Sequence, residues 1–313
     1  MNKIPLIVVA GATASGKTSL SIELAKKFNG EIISCDSMQI YRDMNIGTAK
    51  PDDEEKAGIV HHIMDFLNPE ESFSVADFTH LAHKAAETIH KKGKRIVCCG
   101  GTGLYIDSFV NDVDFDEEDS DEGIREELRK RAETEGAEAL LCELRTFDSE
   151  SAEKLHPNNL KRIIRAIEFY RIHKIPISEH QANTKKKESR YDPLFMMIDH
   201  PREVLYDRIN KRVDIMIESG LLEEAEELYK RKDTLSKTAL QAIGYKEMFD
   251  YFKGEKTLEE AKEELKLRTR QYAKRQLTWF RRNEKMHLLS PANALTEAEE
   301  LVREFLKKRS KNK

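Results

Sequence analysis

The chain has 313 residues, 39% of them hydrophobic and 35% charged, with a formal net charge of -4. That is enough apolar material for one large core with an appendage, or for two domains, under a heavily charged surface. The balance excludes a uniformly basic nucleic-acid binder, so any such surface must be local.

Charge is unevenly placed along the chain: NDVDFDEEDSDE (111–122) is acidic, whereas 266–285 and 307–313 are basic. The four cysteines, Cys35, Cys98, Cys99 and Cys142, show no C-x-x-C spacing and lie mostly in apolar runs. Reduced thiols and no metal cluster are expected. The N-terminal apolar run is too short for a membrane span and lacks the flanks of a leader peptide, which predicts a soluble, cytoplasmic protein with no membrane partner.

In chain order, a mainly apolar run from Ile4 to Ala10 leads into Gly11-Ala12-Thr13-Ala14-Ser15-Gly16-Lys17-Thr18, which fits G-x-x-x-x-G-K-[ST], and an amphipathic run follows. Strand, loop and helix is the context this motif requires. The loop's N–H groups and the helix N-terminus would cradle a diphosphate, Lys17 would add a point charge, and the Thr18 hydroxyl could ligate Mg²⁺. The motif leaves open what the diphosphate is attached to.

EIISCD (31–36) predicts a second strand ending in Asp36, followed by Ser37, Met38 and Gln39. Ligands of open α/β sheets sit outside the carboxyl ends of the strands. Asp36 is therefore a candidate general base or indirect Mg²⁺ partner, with a turn residue as the alternative. In HHIMD (61–65), His61 and His62 would point to opposite faces of a strand with no further ligands at suitable spacing, so no metal site is expected there. A helix is predicted over SVADFTHLAHKAAETIHKKG, opened by Ser74 and Asp77 and closed at Gly93. RIVCCGG (95–101) predicts a third strand running into Gly100-Gly101-Thr102-Gly103. Thr102 there either meets a reacting group or belongs to a tight turn. No Asp follows this strand as a Walker-B carboxylate would in a P-loop ATPase.

After residue 110 the pattern breaks into an acidic linker (111–122), a helical stretch to about 182 and a basic linker, NTKKKESRYD (183–192), before PLFMMID (193–199) supplies the next strand. The expected fold is α/β: a P-loop NTPase-like parallel sheet flanked by helices, formed by 1–113 and 193–313. An all-helical insertion (114–192) would stand over the sheet's C-terminal edge. On the helix from Pro201, Arg208 and Arg212 share a face suited to a leaving diphosphate, with Asp207 and Asp214 as alternative partners. The helix from Thr257 to about Arg282 interleaves Arg268, Tyr272, Arg275, Trp279 and Arg282. That spacing suits single-stranded nucleic acid, or equally a core stripe beside a solvated face. MHLLS (286–290) is the candidate last strand.

Taken together, GATASGKTSL, EIISCDSMQIYRDMNIGTAKP, VCCGGTGLYI, HPNNLKRIIRAIE, DRINKRVDIMIESG, AIGYKE and RQYAKRQLTWFR run nearly end to end along the chain. In that order they resemble the tRNA dimethylallyltransferases of the bacterial tRNA isopentenyltransferase type. The resemblance implies a dimethylallyl diphosphate donor held by Gly11 to Thr18. The implied acceptor is the exocyclic N6 amine of the adenosine immediately 3′ of a tRNA anticodon. It implies Asp36 as the base that takes the amine proton, Thr102 as a group placing that amine, and Arg212 with Lys17 and a Thr18-bound Mg²⁺ on the departing diphosphate. Implied tRNA contacts are Asp36, Ser37, Met38, Gln39, Thr102, Arg125, Lys161, Arg162, Ile163, Ile164, Arg165, Lys274, Arg275, Gln276, Trp279 and Arg281. The insertion is expected to clamp the anticodon stem-loop, and the protein to act as a monomer. Rival readings are a P-loop small-molecule or nucleoside kinase, and an RNA-binding protein whose loop only senses ligand.

Overall fold

The computed structural model describes residues 3–113, 121–186 and 188–310. Most of the expected acidic linker, and the end of the basic tail, lie outside the described residues. The described residues form two compact units, one from Met1–Val110 with Arg190–Lys313 and one from Asn111–Ser189.

The first unit is built on strands β1 (Ile4–Ala10), β2 (Gly30–Ser34), β3 (His61–His62), β4 (Arg95–Gly100), β5 (Tyr191–Ile198) and β6 (Met286–Leu289). They form one six-stranded sheet in the order β3-β2-β4-β1-β5-β6, every neighbouring pair parallel. Its helices are α1 (Lys17–Lys27), α2 (Asp53–Lys56), α3 (Val75–Lys91) and α4 (Gly103–Val110). In the second unit follow α5 (Glu122–Glu135), α6 (Ala137–Phe147), α7 (Ser149–Glu153), α8 (Leu160–His173) and α9 (Ile177–Lys186). The first unit resumes with α10 (Arg202–Glu218), α11 (Leu221–Lys230), α12 (Tyr245–Phe252), α13 (Leu258–Phe280) and α14 (Ala294–Ser310).

The central strands read as unbroken apolar runs because both faces are covered. Along β1, Leu6, Val8 and Ala10 join one core with Phe78 and Phe109, while Ile7 and Val9 join another with Leu24 and Val302. Two prolines sit inside strands, each where one edge is still unpaired. Pro5 precedes the first β1–β4 pair at Leu6, and Pro193 precedes the first β5–β6 pair at Phe195. A missing N–H costs nothing at such a position. The helix expected from Ser74 forms with a reciprocal capping box between Ser74 and Asp77.

Two expectations change. The run 95–101 is the fourth strand rather than the third, because His61–His62 pairs with Ile32 and Ile33 at the sheet edge. The expected basic linker 183–192 is largely regular structure: α9 continues to Lys186 and β5 opens at Tyr191. Lysine is a good helix former, and a run of it does not end a helix.

The second unit is all helical. Leu128, Leu140, Leu144, Ile163 and Ile167 are fully buried in its core. Glu168 is also fully buried and is held by Arg125 Nε at 2.8 Å, Arg165 at 3.2 Å and the Asp121 N–H at 2.8 Å. All four cysteines are free, with Cys35, Cys98 and Cys99 buried. No helix among the described residues is long and apolar enough to cross a membrane.

Candidate active site

The loop between β1 and α1 carries the G-x-x-x-x-G-K-T residues, and α1 opens without a side-chain cap or an acidic residue in its first turn. An uncapped helix N-terminus presents unpaired N–H groups and the positive end of the helix dipole to an anion.

The loop is fixed by its own Lys17 and by side chains from distant elements. Lys17 Nζ donates to the Ala12 carbonyl at 3.3 Å, Arg208 Nε to the Ala14 carbonyl at 2.8 Å, and His200 Nε2 to the Ser15 carbonyl at 2.9 Å. Gln276 accepts from the Thr13 N–H at 2.9 Å and donates to the Gly101 carbonyl at 2.9 Å. Arg212 reaches the Thr13 hydroxyl at 3.5 Å.

Lys17 and Arg212 are both half-buried, and among the described residues neither makes an ion pair. Burial lowers the pKa of Lys17, while Cys99 and Asp36 oppose that shift. Burial, then the neighbouring Arg208, lowers that of Arg212. Desolvated cations without counter-ions are costly unless an anion joins them, so the pair marks an anion site. Asp207 and Asp214 are not their partners: they pair with Lys211 and with Lys262 and Lys266.

Asp36 stands just beyond β2. Its Oδ1 accepts from Met38 N–H at 2.9 Å and Gln39 N–H at 3.4 Å. The turn reading of Asp36 is met, and the same turn leaves Asp36 lining the cavity that Lys17 and Arg212 also line. Thr102, beyond β4, accepts from Ser37 N–H at 3.1 Å and donates to Ser37 Oγ at 3.3 Å, tying the two strand ends together.

The cavity holds about 310 Å³ and has an apolar wall that includes Ile209, Val213, Met216 and Leu265. A second cavity of about 730 Å³ opens on the Thr18 side and shares Lys17, Ala49, Arg212 and Met216 with the first. Tyr272 and Arg275 line the smaller cavity, with the Arg275 guanidinium 5.6 Å from the Tyr272 ring centre. Burial, with Asp36 nearby, pushes the Tyr272 hydroxyl up to about 12, so it stays a neutral donor.

Several expected tRNA contacts are occupied otherwise. Ile163 and Ile164 are buried in the second unit's core. These aliphatic side chains pack α8 into that core, whereas Lys161 and Arg162 on the same helix are exposed. Arg125 and Arg165 are engaged with Glu168. Gln276 is 5% exposed, and both ends of its amide are committed to the loops. Trp279 Nε1 donates to Asp107 at 2.8 Å, and its indole packs on Gly103, where an added Cβ would lie 2.4 Å from the ring. Lys274, Arg275, Arg281 and Arg282 are exposed, Arg281 pairing with Asp199 at 2.9 Å. His61 and His62 serve structure: one bonds the Ile59 carbonyl, the other the Glu31 carboxylate at 2.7 Å.

His200 was not expected from sequence, although its place just past a strand's carboxyl end is the signal that singled out Asp36. Among the described residues no group of three or more His, Cys, Asp or Glu could hold a metal ion.

The sequence model described as IPP transferase matches residues 39–283. The chain is 50% identical over 285 residues to the tRNA dimethylallyltransferase of Acetivibrio thermocellus, covering 91% of each, and 47% identical to that of Bacillus subtilis, covering 89% of this chain and 88% of that one. The full-length tRNA isopentenylpyrophosphate transferase of Bacillus halodurans has a similar structure, with a TM-score of 0.74, 41% identity and 99% coverage of both chains. So has a eukaryotic dimethylallyltransferase acting on tRNA, with a TM-score of 0.85 and 32% identity over 98% of this chain and 80% of that one.

Proposed function

The chain belongs to the IPP transferase family, and from that premise we propose that it transfers a dimethylallyl group from dimethylallyl diphosphate to the N6 amine of the adenosine 3′-adjacent to the anticodon in tRNA, releasing diphosphate. The observation that carries this reading is the pairing of two unmatched half-buried cations, Lys17 and Arg212, with the Asp36 carboxylate around one cavity. An anion held by the cations would place its attached carbon toward a base.

The adenine amine is a weak nucleophile because its lone pair is delocalised into the ring. As its nitrogen bonds to the first prenyl carbon and the carbon–oxygen bond breaks, the amine proton passes to Asp36. The electron pair leaves with diphosphate, where Lys17, Arg212 and the loop N–H groups stabilise the growing charge. Thr102, fixed on Ser37, positions the amine. The apolar wall of the cavity suits a short branched hydrocarbon.

Mg²⁺ is the proposed cofactor. Thr18 and Lys17 line the larger cavity, where the Thr18 hydroxyl would offer Mg²⁺ a hard oxygen beside those of a held diphosphate; Mg²⁺ usually takes one or two protein ligands plus phosphates and water. Bound there, the ion would supply charge neutralisation at the leaving group.

A target base stacked in the anticodon loop has to be turned out to reach such a cavity. Exposed Lys274, Arg275 and Arg281 on and beside α13, and Lys161 and Arg162 on α8, are the proposed phosphate contacts. Action as a monomer in the cytoplasm belongs to the same proposal. The test is to incubate the protein with undermodified tRNA, Mg²⁺ and labelled dimethylallyl diphosphate. Label in tRNA is the expected result; phosphate transfer from ATP without prenylation would make the protein a kinase, and binding without turnover an RNA-binding protein.

A further inference from the structure

The segment Asn45 to Lys50 forms a wall of both cavities: Gly47, Thr48 and Ala49 face the one that holds Asp36, and Asn45, Ile46, Ala49 and Lys50 face the other. It has no regular secondary structure, yet it is tightly fixed. One carboxylate on α11 takes three of its successive N–H groups. Glu224 Oε2 accepts from the N–H groups of Asn45 at 2.9 Å and Ile46 at 3.0 Å. Its Oε1 accepts from Gly47 N–H at 3.0 Å and from the Tyr245 hydroxyl at 2.7 Å.

Four donors on two oxygens is a set only a carboxylate can satisfy; an amide offers one acceptor oxygen, and its NH₂ would face N–H donors. Tyr245 is buried at the start of α12 and lies so close to the segment that a Cβ on Gly47 would fall 2.6 Å from its ring. The segment's far side is joined to the reacting carboxylate. Gln39 Nε2 donates to the Thr48 carbonyl at 3.1 Å and the Ala49 carbonyl at 3.0 Å, and the Gln39 N–H in turn donates to Asp36. A continuous chain of hydrogen bonds thus runs from Tyr245 through Glu224, the wall and Gln39 to Asp36.

We propose that Glu224 is a positioning residue for prenyl transfer: it acts through the 45–49 wall and Gln39 to hold the Asp36 turn in register with the diphosphate cradle. This rests on the function proposed above. The cradle itself is fixed by Arg208, His200 and Gln276, which do not touch Glu224. Loss of Glu224 should therefore impair turnover and spare anion binding.

The test compares wild type, Glu224→Gln and Val302→Ala, the last a cavity variant in the core on the far side of the sheet from Phe78. The readouts are kcat with saturating dimethylallyl diphosphate and tRNA, binding of inorganic pyrophosphate by calorimetry, and Tm. Glu224→Gln is expected to lower kcat about 10- to 100-fold, the scale of a misplaced reacting group, with pyrophosphate affinity held within about twofold. Val302→Ala is expected to lose Tm but to keep kcat. Tyr245→Phe removes one of the four donors and should lower kcat about threefold, which carries the test should Glu224→Gln not fold. An unchanged kcat in Glu224→Gln, or in Tyr245→Phe where only that variant folds, overturns the proposal. So does an equal loss in Val302→Ala, or a parallel loss of pyrophosphate binding. Failure of the wild type to prenylate tRNA would overturn the function itself and this role with it.

Discussion

The backbone N–H of Thr13 donates to Oε1 of Gln276 at 2.9 Å, joining positions 263 residues apart in sequence. The same amide's nitrogen donates to the Gly101 carbonyl. The phosphate loop, the turn after β4 and the basic helix α13 are in this way one construction. Gln276→Ala would leave a buried donor and a buried acceptor unpaired, at a cost of about 2 kcal/mol. Chemical denaturation should show that loss, and calorimetry should show weaker pyrophosphate binding.

Asp36→Asn keeps an acceptor oxygen for Met38 and Gln39 and so keeps the turn, but removes the base. Turnover is expected to fall by about 10²- to 10⁴-fold, with donor binding retained. Near-normal prenylation by this variant would remove Asp36 as the proton acceptor.

Replacing Arg275 and Arg281 with Ala should weaken tRNA binding at every salt concentration and flatten the plot of log K against log salt, by about one unit for each phosphate no longer neutralised. Arg281 already pairs with Asp199, so its share should be the smaller. An unchanged slope would move the RNA surface elsewhere.

Glu31 gives a prediction in pH. Burial raises its pKa, but bonds from Lys94, His62 and Lys92 outweigh that and bring it down to about 2 from 4.5. A carboxylate depressed in the folded state contributes stability above its unfolded pKa and loses it as pH falls toward the folded one. Wild-type stability should therefore hold above pH 4.5 and decline between 4.5 and about 2. Glu31→Gln should be less stable at neutral pH by about 2 kcal/mol, a figure reduced for the partly exposed lysines. Its stability should also change less across that acid window, as denaturant midpoints will show.

The parts of the fold that are legible in sequence are those whose causes are local. Unbroken apolar runs such as Ile4 to Ala10 report burial on both faces, and the Ser74–Asp77 box reports a helix start. Strand β3 is not legible, since two residues become a strand only through their partner, Ile32–Ile33. The basic run after 182 resembles a linker because charge ordinarily signals solvent, whereas α9 needs only its helix propensity to continue to Lys186. In the site, the motif residues and strand-end carboxylate are visible, while the use of each side chain is not. Arg208 faces a loop carbonyl, Gln276 bridges two loops, and Glu224 lies in the run EEAEEL with nothing local to set it apart from its neighbours. Such roles depend on which distant backbone atom comes to lie within about 3 Å, hydrogen-bond range, and spacing along the chain carries no record of that.

The carbonyl of Ala12 is taken by the loop's own Lys17, and those of Ala14 and Ser15 by Arg208 and His200 from behind the loop. Little backbone freedom is left to the loop once the chain folds, so an anion entering it would find the socket already shaped.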